Sequence, residues 1–339
     1  MDAENKNPQT GQQSGGPEKD LGSRNIENTI HDPGMDVNQN IRDQVQERKK
    51  QMEVYQGYDE AYNKPEDIPF WFVVWTAKNE QEGAARLLVE LLKNEYIYDH
   101  TEAQWYRYNG VHWIQDRINQ IYVERYRIVD LYAGYAEEAA KRRIAANKNQ
   151  DKAKENHEKH LEDLFNRQIK QLQRIHYVRG VLELARSGKD RLSTDGSRWD
   201  SNPYDLATAN TVIDLSTGSS RRGKPQDMIR TSSPTRYEGI DEPHPKWSQF
   251  LNEIFQEDQE IISFVRRVLG MSLIGSQLEH VMVVFQGRGR NGKSVLTDVI
   301  DYVLGDFSGT IQPDTLLEQG KNQTGSSPTP DIMALQGKR

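Results

Sequence analysis

Large apolar residues are nearly absent from the start of this chain, then arrive in patterned blocks. Residues 1–64 are rich in Asn, Gln, Asp, Glu, Gly and Pro, with almost no large apolar residue before Met35. Such a composition buries too little surface to offset chain entropy, so a disordered leader is expected, with one charged helix near 40–55. Aromatic residues accumulate from position 65. In "EGAARLLVELLKNEY" at 82–96, Ala84, Leu87, Leu88, Leu91 and Leu92 recur at helical spacing and predict an amphipathic helix. "QWYRYNGVHWIQD" at 104–116 instead alternates about Asn109-Gly110. That pattern predicts a β-hairpin whose tight turn has positive φ at both central residues.

Residues 119–187 read as continuously helical and highly charged. "NPYDLATANTVIDLSTG" at 202–218 then holds a short strand, Thr211–Leu215, closed by a turn. "SSRRGKPQDMIRTSSPTRYEG" follows as loop and edge strand, and "DEPHP" at 241–245 as a linker. Amphipathic helices are expected across 246–275. Beyond them Val281–Phe285 has the form of a buried strand. Val295, Leu296, Val299, Ile300, Val303 and Leu304 repeat at helical spacing up to a capping Gly305.

Composition narrows the function classes. The 339 residues allow two domains plus flexible sequence, and a mean hydropathy of -0.87 shows that not all of it is packed core. The absence of cysteine excludes disulfides, thiolate metal sites and cysteine catalysis. "FWFVVW" at 70–75 is the longest apolar run, far below the roughly 20 residues of a membrane helix. The N-terminus lacks the pattern of a signal peptide, and a cytoplasmic protein is expected. With a formal charge of -7, any grip on nucleic acid must come from local basic patches.

The candidate chemistry lies between the last predicted strand and helix. Gly287, Arg288, Gly289, Arg290, Asn291, Gly292, Lys293 and Ser294 have the form G-x-x-x-x-G-K-[ST]. Glycines let backbone N–H groups turn inward into an anion-binding nest. Lys293 can reach the β- and γ-phosphates of a nucleotide, and the Ser294 hydroxyl can ligate Mg²⁺. A helix starting near Lys293 directs its positive end at the same anion. Strand, loop and helix in that order is the context the motif requires, so ATP and Mg²⁺ are the expected cofactors.

With these pieces in order, residues 70–339 resemble the superfamily 3 helicases of the phage/plasmid primase-helicase family, relatives of the poxvirus primase-helicases. The likeness runs through Gly83, Ala84, Arg86 and Leu87, the Trp105–Trp113 hairpin, "NPYDLATANTVIDLSTG", the helical 246–275 segment and "FQGRGRNGKSVL". "PDTLLEQ" at 313–319 and "SSPTPDIMALQGKR" at 326–339 are similar to what precedes the family's Walker B strand. The resemblance implies an α/β architecture: a partial P-loop NTPase at 246–339, with a helical lead-in at 246–275 and a core at 280–339. A mainly helical α+β accessory domain at 65–240 and the leader at 1–64 would precede it. It also implies an ATP-dependent DNA helicase acting on single-stranded DNA as a ring, usually a hexamer. Gly287, Gly289, Asn291, Gly292, Lys293 and Ser294 fall on the family's phosphate loop, with Lys293 catalytic. The family's Walker B acid, sensor and arginine finger lie beyond the position equivalent to Arg339, so the resemblance implies little turnover by this chain alone. A 64-residue leader is too short for a primase domain, and no primer synthesis is expected.

Other residues carry two readings each. Ten Lys/Arg against five acids at 141–174 could meet phosphates or simply solvate a helix pair. Arg221, Arg222, Lys224 and Arg230 are candidates for DNA contact or exposed loop charges. Trp105, Tyr106, Tyr108 and Trp113 could stack on bases or fill a small core. Asp214 and the run Glu253, Glu257, Asp258 and Glu260 suit turns and helix starts better than catalysis. The eight histidines show no metal-ligand spacing. A non-catalytic nucleotide- or DNA-binding accessory protein is the alternative to the motor.

Overall fold

The computed structural model describes residues 68–311 and 337–339. The chain divides into units Met1–Gln56 and Gly57–Arg339, and every described residue belongs to the second. The leader, its charged helix and residues 312–336 of the C-terminal resemblance lie outside the described residues.

Helix α1 (Phe70–Lys78) turns at Asn79 into α2 (Glu80–Leu92), whose Ala84, Leu87, Leu88, Leu91 and Leu92 are buried as their spacing predicts. The two helices meet closely: a Cβ on Gly83 would stand 2.0 Å from the Thr76 carbonyl oxygen. Next come β1 (Tyr96–Asp99), β2 (Gln104–Tyr108) and β3 (Trp113–Gln115). With β4 (Ser193–Thr194) they form a sheet of order β3-β2-β1-β4, antiparallel except for the β1/β4 pair.

The predicted hairpin is present, but its turn differs from expectation. Tyr108 pairs with Trp113 across four connecting residues, and of the Asn109-Gly110 pair only Gly110 has positive φ, at 98°. The Asn109 side chain explains the difference. Its Oδ1 accepts the N–H groups of Val111 and His112, both at 2.9 Å, replacing a two-residue turn with an Asx-type loop.

The 119–187 region, expected to be continuously helical, is broken into three α-helices: α3 (Arg125–Lys148), α4 (Lys152–Leu172) and α5 (Ile175–Ala185). Gln150 takes φ 56°, and Asp151 caps α4 by accepting the Lys154 N–H at 3.0 Å. Charge alone does not show such a break. Asn147–Glu155, Arg143–Glu162 and Tyr135–Phe165 contacts trace α3 and α4 as an antiparallel pair. Leu161, Leu164, Phe165, Ile169 and Leu172 form the buried face of α4.

A second sheet, β5 (Asp205–Ala207), β6 (Val212–Asp214) and β7 (Ser219–Arg221), is antiparallel throughout. β6 lies within the predicted strand, and β7 is the expected edge. Helices α6 (Pro245–Ile254), α7 (Gln259–Ser272) and α8 (Lys293–Leu304) complete the described elements longer than one turn. Leu296 of α8 packs on Leu251 and Ile262, while Leu304 and Phe307 pack on Leu206 and Ile213. The unit is thus mixed α and β.

One predicted element is not formed. Val281–Phe285 makes no strand, and Val281, Met282 and Val284 are 61, 75 and 72% exposed. Its apolar run has the composition of a buried strand, yet a strand exists only when hydrogen-bonded to a neighbour. None of the described strands pairs with it.

Candidate functional site

The loop at 287–294 is shaped from both sides. Gly292 caps α8 with φ 80° and ψ 0°, a left-handed conformation that glycine adopts without steric cost. A Cβ there would also come within 2.5 Å of Ile254 Cγ2, so α6 presses directly on the loop. At Gly287 a Cβ would meet Asn291 Nδ2 at 2.2 Å, whereas Gly289 faces open space. Arg290 takes φ 64°, which is uncommon for a residue with a side chain.

Lys293 folds back over this loop. Its Nζ donates to Asn291 Oδ1 at 2.8 Å, to the Gly287 carbonyl at 3.1 Å and to the Arg288 carbonyl at 3.4 Å. Those three acceptors hold the ammonium against the loop that leads into α8. That helix start has no side-chain cap, so its leading N–H groups remain available to an anion. Ser294 is exposed on the same turn, as are Arg288 and Arg290 in the loop. All eight predicted residues are therefore contiguous around one helix end. An ammonium, uncapped N–H groups and an exposed hydroxyl form a donor set that suits a phosphate chain.

The other candidates separate on inspection. Trp105, Tyr106 and Trp113 are buried, and Tyr106 and Trp113 pack with Trp199 and Met228. They are core residues. Arg221 bridges Asp205 at 2.9 Å and Asp227 at 2.6 Å; burial would lower its pKa, but the two carboxylates together raise it. Arg230 pairs with Glu102 and covers the Trp199 ring. Asp214 closes its turn through Ser216, and Asp258 caps α7. Within 141–174, Lys141, Arg142, Arg143 and Lys152 form ion pairs with nearby glutamates. Lys159, Arg167 and Lys170 are exposed on the outer face of α4.

Several polar groups that the sequence reading did not select are buried. Asp99 is 1% exposed and accepts the Trp199 indole N–H at 2.6 Å, 100 positions away. Burial raises the Glu124 carboxyl against the opposing pull of Arg127 and lowers His112. Tyr106, already a candidate in the sequence, is buried as well, and burial, with Glu102 adding to it, pushes its hydroxyl up to about 12. No periodic signal marks Asp99 or Glu124, because their partners Trp199 and Tyr96 are distant in the chain.

Residues 85–256, more than half the chain, match the family described as D5 N terminal like. The chain belongs to this family. The matched residues run from α2 through both sheets to the end of α6, and the 287–294 loop follows them. A proposed helicase of Acanthamoeba polyphaga mimivirus is 29% identical over 266 residues, covering 75% of this chain and 26% of that protein. Another, from Invertebrate iridescent virus 3, is 24% identical over 288 residues, covering 75% of this chain and 29% of its own length. The chain therefore spans under a third of each relative. The D5 N-terminal-like match and these viral relatives place it among the phage and viral primase-helicases. Among the described residues, no helix is long and apolar enough to cross a membrane.

Proposed function

We propose that this chain is the accessory region and phosphate-loop segment of an ATP-dependent DNA helicase used in phage, plasmid or viral replication. The observation that carries the proposal is the Lys293 ammonium held by Gly287, Arg288 and Asn291 in the loop that leads into the uncapped start of α8. On binding ATP, Lys293 would exchange these acceptors for the β- and γ-phosphate oxygens. The loop N–H groups would take the remaining oxygens. Mg²⁺, where bound, would supply charge neutralisation between the terminal phosphates, with Ser294 as its protein ligand. Single-stranded DNA would meet the exposed cations of α4. Assembly into a ring, most simply a hexamer, follows from the family resemblance, as does a P-loop NTPase core.

Titration of the purified protein with a fluorescent ATP analogue and Mg²⁺ tests the site. Saturable binding is expected, weakened at least about tenfold in Lys293→Ala, since charge-assisted hydrogen bonds are among the strongest in proteins. Equal affinity in both proteins would remove the assignment. The unpaired, exposed Val281–Phe285 run favours a second reading, a nucleotide- or DNA-binding accessory protein without turnover. Nucleotide binding with no phosphate release at saturating ATP, Mg²⁺ and single-stranded DNA would select it.

A further inference from the structure

A cleft away from the 287–294 loop has a charge imbalance that none of the described residues resolves. It lies between α3 and α4, is closed on one side by Phe70 at the start of α1, and has a volume of about 280 Å³. Its aromatic wall is continuous. The Phe70 and Tyr135 rings are 5.1 Å apart, and Tyr135 stacks on Phe165 at 5.9 Å. Glu138 and Arg142 stand at the rim, exposed and paired through Arg142 Nε and Glu138 Oε1 at 3.1 Å. Glu158 lines the interior. It is 6% exposed, and among the described residues its Oε2 has no hydrogen-bond partner.

A buried carboxylate oxygen without a partner is costly and rare. Arg142, the cation lining this cleft, is already engaged at the rim. The lining therefore holds two carboxylates against one guanidinium, a deficit of one positive charge. The remaining wall is made by the rings of Phe70, Tyr135 and Phe165 together with Ala139 and Leu161, and aromatic quadrupoles also attract cations. At about 280 Å³ the space is smaller than the usual ligand pocket, so it suits one charged group on a slender stem rather than a nucleotide.

We infer that this cleft is a binding site for a single guanidinium or alkylammonium group, which donates to Glu158 Oε2 and lies against Tyr135 and Phe165. The group could arrive on a free small molecule or on a basic side chain of another polypeptide. Recognition is the same in both cases.

The test uses N-acetyl-arginine amide, its uncharged isostere N-acetyl-citrulline amide, and a short arginine-containing peptide. Binding is followed by amide chemical shifts and by the thermal midpoint of the intact chain. Blocked arginine is expected to shift resonances of Tyr135, Glu158 and Phe165 and to raise the midpoint, while the citrulline compound does neither. Glu158→Gln should weaken binding about tenfold or more without lowering the midpoint of the unliganded protein. Tighter binding of the peptide than of blocked arginine would identify a polypeptide source, and equal binding a small-molecule one. Equal responses to arginine and citrulline would overturn the inference even if Glu158→Gln failed to fold. So would a folded Glu158→Gln protein that binds as well as the original, or resonances that no cation moves because only water fills the cleft.

Discussion

At the scale of single residues, the buried polar groups set the sharpest expectations. Asp99 accepts the Trp199 indole through one carboxylate oxygen and the Thr101 N–H, at 2.8 Å, through the other. Asp99→Ala would strand both donors, so a loss of about 2–4 kcal/mol is expected in chemical denaturation. A loss below about 0.5 kcal/mol would mean that water replaces the carboxylate. His112 gives a pH signature. Burial holds its pKa below the ordinary 6.5, so the unfolded chain takes up the proton first. Its contribution to stability is complete above pH 6.5 and is lost as pH falls through the lower folded value. Glu124, raised from 4.5 by burial, acts in the opposite sense: its carboxyl destabilises once ionised, and acidification relieves that. The two are separated by comparing the native protein with His112→Gln between pH 8 and 5.5. The stability difference should be flat above about 6.5 and shrink below it, because only the native protein then pays for a buried imidazolium. A difference independent of pH would show that His112 titrates normally.

At the scale of elements, close approach and capping decide more than propensity. Gly83→Ala places a methyl 2.0 Å from the Thr76 carbonyl, a backbone atom that cannot rotate away. Roughly 3 kcal/mol or more should be lost as α1 and α2 separate, and a thermal midpoint unchanged within 2 °C would contradict that geometry. Asp258→Ala removes Oδ1, the shared acceptor of the Glu260 and Ile261 N–H groups at 3.0 and 3.1 Å, and should cost about 1 kcal/mol. These elements also show what the sequence made legible. Leu87, Leu88, Leu91 and Leu92 announce α2 because burial on one helix face imposes its own period on the chain. Gly292, Lys293 and Gly305 mark both ends of α8 because start and stop need particular residue types. The Asn109 loop, the break at Gln150 and the failure of Val281–Phe285 to form a strand were not legible. Each depends on what a side chain or backbone meets in space. The Asp99–Trp199 bond and the Glu158 cleft are of the same kind, since neither leaves a local pattern.

At the scale of the whole molecule, a protein of net charge -7 can hold DNA only where its charge is unevenly distributed. The surplus counted along 141–174 divides in the fold. Lys141, Arg142, Arg143 and Lys152 are spent on glutamates, and Arg221 and Arg230 likewise pair with acids elsewhere. Lys159, Arg167 and Lys170 instead point outward from α4, opposite its Leu161, Phe165 and Ile169 face. They span about 16 Å of helix axis at 1.5 Å per residue, a length over which several phosphates of one strand can be met. Fluorescence anisotropy of a dye-labelled oligothymidine at increasing salt measures the effect. Each phosphate neutralised contributes about 0.7 to the slope of log affinity against log salt for single strands. Lys159→Gln, Arg167→Gln and Lys170→Gln together should therefore flatten the slope by about 2 units, while Arg221→Gln leaves it unchanged. A triple variant with the original slope would show that strands bind elsewhere, and the outer face of α4 would then serve only to keep the helix pair in water.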